Sequence, residues 1–578
     1  MSGSAFAQSP LAGVVSGQAN QRQSPPTDAR AAPKRDNSNA SKDEPPAQDN
    51  SKPSDCTSNP VVLATGEKWK SESDFTAGGL YGLSLSRTYR SQTTRVAMFG
   101  AKWLSDYDPP TLFSSGCYRH PDYGNLCIPQ TFTLTRPDGV KFVYTRTSAF
   151  GGLEYRVGSA DKTGYIRYDP YGDIRFTRDK LTYTFSQSGN LRQIRSVSGP
   201  GGYLLQYTYG SVAMQPIRVT NRGGQTLEFT WTGDKVTTIR DTAGNTWTYT
   251  YHPTSGMLEY VTAPGPNADV RRYHYEFAGD STLLTGISIN GTRYSIYDYF
   301  TDKRVKESGL VGGEARDTFT YVGNTTTVTS ASGQPTSYTF ASVGGELKPV
   351  NVSRAATTSC PTASSAATAY DANGYTDYEL DWKGNRTEYT FDPAGRLLDV
   401  TTASGSPVAL KTINTWNGSE LATTTLQGAS GTSYRRISYT YHPASAGLAG
   451  GLVASETWID LVRNVTRWVT YAYTFHPNGA MASAVTTRSL PTGTAVTTVA
   501  YDMLGNVISV TNPRGHMATS SGYNGLGLPG RVTDINGVAT DFTWHANGNL
   551  LAQSTLYPTG ARTTTYSYNN GKRPANPS

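Results

Sequence analysis

Residues 501–550 read YDMLGNVISVTNPRGHMATSSGYNGLGLPGRVTDINGVATDFTWHANGNL and show a repeat in its clearest form. Its turn glycines are Gly505, Gly515, Gly527, Gly537 and Gly548, at intervals of 10, 12, 10 and 11 residues. Two intervals make one unit of about 21 or 22 residues. Turn signals at this spacing, with β-rich runs between them, predict an antiparallel meander of short strands.

The core of each unit is an aromatic residue, a short polar residue, two variable residues and a glycine. An aspartate at the second position can accept hydrogen bonds from backbone N–H groups further along the turn. The glycine tolerates the left-handed backbone that closes a hairpin. We predict a structural turn role for Asp169, Gly172, Asp371, Gly374, Gly384, Asp392, Gly395, Asp502, Gly505, Gly537 and Gly548.

The competing interpretation of the repeated aspartates is calcium binding. A calcium site needs clustered ligands of the Asp-x-Asp-x-Asp kind, which the sequence lacks. We expect neither a metal site nor a cofactor.

The runs between the turns alternate with period two, as in residues 247–251 (WTYTY) and 471–475 (YAYTF). Successive side chains of a strand point to opposite faces, so one face carries aromatic rings and the other carries Thr, Ser and charge. Cross-strand aromatic pairs contribute roughly 0.2–1 kcal/mol each, so many of them in series specify a sheet that no single strand would form. The predicted fold class is all-β, a long antiparallel β-sheet ribbon.

The composition agrees with this class, with 38 Tyr and 59 Gly against 7 Met among 578 residues. The formal net charge is +7, but Lys and Arg are scattered singly, which argues against a nucleic-acid partner. No run of 18 apolar residues occurs, so we expect no membrane-spanning helix.

The first 59 residues differ from the rest of the chain. Residues 18–59 are rich in Ser, Pro, Asn and Asp, which predicts a disordered leader. Ala5-Phe6-Ala7 is similar to the end of a secretory signal, although the basic and apolar segments that should precede it are missing. Either the start of the chain is truncated or misplaced, or the similarity is chance. We divide the chain into this leader (1–59), an opening β module (60–135) and the repeat ribbon (136–578).

Cys117 and Cys127 lie close enough in sequence to bridge a small loop, and we predict a disulfide between them. Two buried thiols are the alternative, and a metal site has the least support because no paired His or further Cys lies nearby. Cys56 and Cys360 are far apart, and their pairing stays open.

Catalytic motifs are missing from the sequence. It contains no Gly-x-Ser-x-Gly elbow, no phosphate-binding Gly-Lys-Ser/Thr loop and no His-Glu-x-x-His helix. Four histidines, His252, His442, His476 and His545, follow an aromatic residue where other units carry Asp, whereas His274 lies within a strand. We expect a protein that is not an enzyme, although a fold can bring a nucleophile, a His and a carboxylate together from separate positions.

Two of the units carry a family resemblance. Residues 391–397 (FDPAGRL) and 501–507 (YDMLGNV) resemble the Tyr-Asp-x-x-Gly-Arg/Asn-Leu unit of the bacterial RHS/YD-repeat family, and the resemblance extends over about 160–570. Residues 60–135 resemble the module that commonly opens RHS proteins, through segments such as 83–91 (LSLSRTYRS) and 99–103 (FGAKW). One departure is Lys102, where that module usually has Gly before Trp.

The resemblance implies that the ribbon spirals into a hollow cocoon, here a partial one, of a type that encloses a C-terminal toxic domain in polymorphic toxins and toxin complexes. The Asp-Pro and Gly boundary motif and the toxin of such proteins are missing here, so we expect a chain truncated before the toxin or one completed by a partner polypeptide. A secreted or cell-surface location follows from the same resemblance.

The resulting hypothesis is a non-catalytic shell or scaffold component of a contact-dependent or secreted toxin system. The alternative is a surface protein that binds carbohydrate or adheres, with Tyr and Trp rings stacking on a cell-surface glycan. A partial ribbon also leaves an unpaired edge strand, which predicts self-association.

Overall fold

The computed structural model describes residues 60–119, 126–137, 141–157, 164–178, 181–196, 203–265, 268–343, 346–355, 364–393, 395–569 and 573–574. The expected leader, together with Cys56 and Cys360, lies outside these residues. The strands up to residue 209 are β1 (Val61–Val62), β2 (Glu67–Phe75), β3 (Leu85–Arg90), β4 (Val96–Ala97), β5 (Gly100–Ala101), β6 (Trp103–Ser105), β7 (Thr111–Ser115), β8 (Tyr118–Arg119), β9 (Cys127–Ile128), β10 (Thr131–Thr135), β11 (Lys141–Arg146), β12 (Glu154–Arg156), β13 (Tyr165–Arg167), β14 (Ile174–Arg178), β15 (Leu181–Phe185), β16 (Leu191–Ser196) and β17 (Leu205–Tyr209).

The strands from there to residue 391 are β18 (Pro216–Asn221), β19 (Thr226–Thr232), β20 (Lys235–Asp241), β21 (Thr246–Tyr251), β22 (Leu258–Thr262), β23 (Val270–His274), β24 (Gly286–Ile289), β25 (Thr292–Tyr299), β26 (Val305–Leu310), β27 (Asp317–Val322), β28 (Thr325–Thr329), β29 (Pro335–Val343), β30 (Glu346–Arg354), β31 (Ser364–Tyr370), β32 (Thr376–Leu380) and β33 (Arg386–Phe391).

The remaining strands are β34 (Leu397–Thr402), β35 (Leu410–Asn417), β36 (Glu420–Gly428), β37 (Ser433–Tyr441), β38 (Val453–Asp460), β39 (Val465–Phe475), β40 (Met481–Ser489), β41 (Thr494–Tyr501), β42 (Val507–Thr511), β43 (Met517–Ser521), β44 (Arg531–Thr533), β45 (Ala539–Trp544), β46 (Leu550–Tyr557), β47 (Gly560–Thr565), β48 (Tyr568–Asn569) and β49 (Arg573–Pro574). The helical segments of the described residues are the short α1 (Ala149–Gly152) and a 3-10 segment (Ala444–Ala449).

One antiparallel sheet consists of β7 and of all strands from β10 through β47. Strand β7 pairs with β10, and each later strand pairs with the next along the chain. We call this sheet the ribbon. Among the described residues β7 and β47 have no register with each other, so the ribbon stays open at both ends. The predicted all-β antiparallel ribbon is therefore confirmed.

A β-bulge recurs at the aromatic residue of the repeat unit. The strand register shifts at Trp231, Tyr251, Phe391, Tyr441 and Tyr501, among other positions, so that one extra residue of the partner strand is accommodated beside each ring. Bulges bend a strand and increase its twist. A bulge in nearly every unit gives the ribbon its curvature.

The aromatic residue of one unit also binds the bulge of the unit before it. Trp416 pairs with Leu421 at a bulge, and the hydroxyl of Tyr441 in the next unit donates to the Leu421 carbonyl oxygen at 3.0 Å. The Trp416 indole N–H in turn donates to the Leu397 carbonyl oxygen at 3.0 Å. The same contact is made by Trp231 to Pro216, Tyr251 to Val236, Tyr275 to Leu258 and Tyr321 to Val305. Tyr and Trp serve here because each combines an apolar ring with a hydrogen-bond donor.

The core lies between the ribbon and a small sheet of order β1-β2-β3-β6, which we call the opening sheet. The rings of Phe75 and Trp247 lie 4.1 Å apart and those of Trp103 and Tyr273 lie 4.7 Å apart, all of them fully or almost fully buried. The large hydrophobic cluster takes its ribbon members mainly from residues 112–340. The opening sheet thus covers the front half of the ribbon, β10 to β29.

Candidate functional site

The opening sheet is fixed to the ribbon by buried charges as well as by rings. Arg87 of β3 donates two hydrogen bonds of 2.6 Å to the Asp74 carboxylate of β2. The Tyr249 hydroxyl donates to Asp74 at 2.9 Å, and the Tyr273 hydroxyl accepts from Arg87 at 2.9 Å. Arg271 of the ribbon adds an ion pair to Glu72 at 3.3 Å. Buried charges need such partners, so this network holds the two sheets in one relative position.

Burial by itself would lower the pKa of Arg87, but the adjacent Asp74 outweighs it and raises this pKa well above its ordinary value. Burial also raises the pKa of Tyr249 well above its ordinary value. The Arg87 guanidinium is therefore charged and the Tyr249 hydroxyl is protonated at neutral pH. These two groups therefore act as fixed structural contacts in the network.

The loop that joins β2 to β3, residues 76–84, runs along the turns of the later part of the ribbon, and we call it the strap. Three strap amides donate to ribbon carbonyls: Thr76 to Asn547 at 3.2 Å, Gly78 to Leu526 at 2.6 Å and Leu80 to Gly505 at 2.9 Å. The Tyr81 hydroxyl accepts from the Met481 amide at 2.9 Å, and its carbonyl accepts from the Asn221 side chain at 2.6 Å. The strap thus links four turns of the back half, β30 to β47, to one turn of the front half.

The strap lies against some turns of the back half and not against others. A side chain at Gly505 would place its Cβ 2.6 Å from the Tyr81 ring, and one at Gly548 would place it 2.8 Å from the Thr76 carbonyl oxygen. Among the described residues nothing lies within 4 Å of such a Cβ at Gly515 or Gly537. Consecutive turns of a meander lie on opposite rims of the sheet. The turns at 505 and 548 therefore belong to the rim under the strap, and those at 515 and 537 to the open rim.

The strapped rim also meets the front half of the ribbon along a seam. A Cβ at Gly223 would lie 2.9 Å from the Leu504 carbonyl oxygen, and Gly525 lies against Ala243. A cleft of about 320 Å³ continues this seam between Asn290 and Asn547. The three pairs are 281, 282 and 257 residues apart in the chain. The ribbon therefore makes one winding in about 260–280 residues and then stacks on itself.

The inner face of the back half carries aromatic side chains that are half-buried. Strand registers lead from Tyr338, which packs against the core, to Tyr389, Tyr439, Tyr471 and Tyr473 on the same face. Several of these rings use wall carboxylates as acceptors: Tyr389 donates to Glu379 at 2.9 Å, and Tyr471 and Trp458 donate to Glu456 at 3.1 and 3.2 Å. Burial raises the pKa of Tyr471 above its ordinary value. Within the described residues the opening sheet does not extend over this face.

The predicted turn aspartates lie in hairpin turns. Asp502 accepts from the Leu504 and Asn506 amides at 2.9 and 2.8 Å, Asp371 accepts from Tyr375 at 2.7 Å, and Asp392 accepts from Arg396 at 2.9 Å. The backbone φ is positive at Gly374, Gly384, Gly395, Gly505, Gly537 and Gly548.

Gly172 differs from the other predicted turn glycines. Asp169 accepts from the Tyr171 amide at 3.0 Å, but Gly172 has no positive φ. A side chain there would collide with the Asp169 carboxylate, so space rather than backbone conformation favours glycine at this turn.

The structure also places the predicted cysteine pair and the turn histidines. A disulfide joins Cys117 and Cys127, whose Cα atoms are 5.2 Å apart. His252 and His545 accept backbone N–H groups within their turns, as Asp does elsewhere. Nothing in the repeat predicted the strap or the seam. The hydrogen bonds from Tyr and Trp side chains to backbone carbonyl oxygens could have been predicted from the preference for Tyr and Trp over Phe at these positions.

A family model described as a domain of unknown function (DUF6531) matches residues 58–116. No curated protein matches the chain. Among solved structures, a crystal structure of TcdB2-TccC3-TEV matches with a TM-score of 0.45 and 12% identity, over 84% of this chain and 27% of that one. TcdB2-TccC3 without its hypervariable C-terminal region matches with a TM-score of 0.42 and 11% identity, over 88% and 31%. The Photorhabdus luminescens Tc holotoxin pore matches with a TM-score of 0.30 and 10% identity, over 87% and 27%. The chain spans between a quarter and a third of the length of these structures. Within the described residues, no helix has the length and apolar character needed to cross a membrane.

Proposed function

We propose that the chain is a shell component of a bacterial toxin system of the RHS type, secreted or held at the cell surface, whose back half surrounds a partner polypeptide. One observation carries this proposal. The same sheet face that is filled by the opening sheet in the front half is lined by half-buried aromatic side chains in the back half. Such a wall offers apolar area and hydrogen-bond acceptors to an enclosed chain.

The strap and the seam support the same role. They join turns about 260–330 residues apart, so the winding is held as a wall instead of an extended band. This role is mechanical and needs no catalytic residue. An adhesive role with glycan stacking would need several exposed aromatic rings side by side.

Thiol accessibility tests the proposal. In a Cys56→Ser/Cys360→Ser background, one variant carries Ala484→Cys on the inner face, opposite Tyr473, and the control carries Ala472→Cys on the exposed outer face. We expect a small maleimide to label both cysteines and a maleimide with a 5-kDa polymer, roughly the size of a small folded domain, to label Ala472→Cys alone. Equal labelling of both by the polymer reagent would show that the inner face is not enclosed.

A further inference from the structure

Three polar side chains form a connected series: His274 at the end of β23, Ser288 on β24 and Glu276 two residues after β23. The His274 Nε2 atom lies 2.7 Å from the Ser288 Oγ atom, and its Nδ1 atom lies 3.3 Å from the Glu276 Oε1 atom. The inner-face neighbours Tyr273 and Ile287 point into the core, so His274 and Ser288 lie on the opposite face of the sheet. Nucleophile, base and carboxylate in hydrogen-bond reach are the arrangement of acyl-transfer enzymes.

We propose that Ser288, His274 and Glu276 form a hydrolytic site for small acyl esters, with Ser288 as nucleophile and His274 as general base. This site is separate from the shell role and would contradict the expectation that the chain is not an enzyme.

The hydrogen bonds define the role of each ring nitrogen. If Glu276 accepts the proton of Nδ1, then Nε2 is the free base that accepts the Ser288 proton. Burial and the nearby Arg293 lower the pKa of His274, so the ring is neutral at pH 7 as a base must be. Burial of Glu276 opposes ionisation, but the hydrogen bond from Arg293 outweighs it and lowers the pKa of this carboxyl.

Arg293 holds Glu276 in place. Its Nη1 atom donates to the carboxylate at 2.7 Å, and its Nη2 atom donates to the Thr285 carbonyl at 2.8 Å. Gly286 makes room for this guanidinium, because a Cβ there would lie 2.6 Å from Nη2. Glu276 and Arg293 are positioning residues.

Ser288 stands between two arginines on one face of the sheet. Its cross-strand partners are Arg272 on β23 and Arg293 on β25. Arg272 is half-exposed and pairs with Glu259 at 3.1 Å, so its guanidinium can turn toward an oxyanion that develops beside Ser288. Ser288 itself is only 5% exposed, which restricts the substrate to a small acyl group.

The reaction is balanced within these groups and the substrate. The Ser288 oxygen bonds to the ester carbonyl carbon while its proton passes to the His274 Nε2 atom, and the ester C–O bond breaks as that proton passes to the leaving alkoxide. Water then attacks the acyl-serine, giving one proton to His274, which returns it to the Ser288 oxygen as the acid leaves.

The test uses the full chain with a fluorophosphonate probe and with p-nitrophenyl acetate. We expect covalent labelling at Ser288, and a loss of at least about 100-fold in kcat/KM for Ser288→Ala and His274→Gln, the usual scale of general-base catalysis. Ser332→Ala, an exposed turn serine, should keep both activities. Glu276→Gln should lower kcat and leave KM unchanged. Circular dichroism melts show whether each variant is folded. A folded wild-type chain that neither takes the probe at Ser288 nor shows hydrolysis lost in Ser288→Ala overturns the proposal.

Discussion

At the scale of the residue, the aromatic side chain of each unit does more than fill the core. It marks the bulge, and where it is Tyr or Trp its O–H or N–H group binds the bulge of the unit before it, as Tyr441 does at Leu421. The aspartate and glycine that follow close the turn. Units with such a Tyr or Trp are thus joined to their neighbour by a side chain as well as by the strand ladder.

Tyr441→Phe removes the donor to the Leu421 carbonyl oxygen and keeps the ring. We expect the free energy of unfolding to fall by about 1 kcal/mol, the usual net worth of one hydrogen bond. Urea denaturation measures the change. Tyr557→Phe, at a largely exposed tyrosine, is the matched control and should change stability by less than about 0.5 kcal/mol. Equal effects would mean that the contact at Leu421 contributes nothing.

Asp108 predicts a pH effect. Burial raises its pKa from 3.8 to about 6, against the opposing influence of Arg95 and of the Met98 and Ser105 amides that donate to its carboxylate. The folded chain therefore binds this proton more tightly than the unfolded chain, and the stability gained at pH 4 is lost as pH rises through 6. From the difference between these two pKa values, the free energy of unfolding falls by an amount on the order of 3 kcal/mol.

Asp108→Asn cannot titrate, so its stability should fall less than that of the wild type between pH 4 and pH 7. Thermal melts of both proteins across this range provide the measurement. Parallel curves for the two proteins would contradict the predicted role of Asp108.

At the scale of the element, the strap and the ribbon turns determine each other. The strap contacts turns of one rim only among those compared, so Gly505 and Gly515 differ in surroundings although their φ angles are 86° and 82°. The repeat places a glycine in the left-handed conformation at both turns, and at Gly505 the strap also leaves no room for a side chain.

Gly505→Ala and Gly515→Ala separate these two reasons. Both force alanine into the left-handed region, at a cost of roughly 1–2 kcal/mol. Gly505→Ala should lower the free energy of unfolding by roughly 1–3 kcal/mol more than Gly515→Ala, because its Cβ meets the Tyr81 ring and displaces the strap. Unfolding free energies and the rate of proteolysis within residues 76–84 give the comparison. Equal losses would show that the strap does not bear on the turn at 505.

At the scale of the whole molecule, the front half of the ribbon is filled by the opening sheet and the back half is not. The buried ion pair of Arg87 and Asp74 lies between the opening sheet and the ribbon, with Tyr249 and Tyr273 of the ribbon as hydrogen-bond partners. The position of the opening sheet in turn carries the strap to the far rim. Loss of the network should therefore weaken contacts far from it.

Arg87→Met leaves the Asp74 carboxylate buried without its main cation. We expect a loss of about 3–5 kcal/mol in the free energy of unfolding, together with faster hydrogen exchange at the Leu80 and Met481 amides. In Arg87→Met/Asp74→Asn no unpaired charge is left, so the double variant should be more stable than the single one. A double variant as unstable as Arg87→Met would show that the charge pair is not the cause.

The sequence by itself determined the strands, the turns and their order, because glycine spacing and period-two alternation are local signals that each unit carries within about 20 residues. Lys102, which stood out only through the resemblance to a family module, has a φ of 65°, where glycine would be unstrained. The seam, the strap and the covered front half were decided by tertiary structure, because they join residues about 170 positions apart or more. Ser288 and His274 are 14 residues apart on the paired strands β23 and β24, so the strand register brings them together although they share no sequence motif. A repeat specifies its neighbours in the sheet, but the curvature summed over many bulges determines which distant rims and side chains meet.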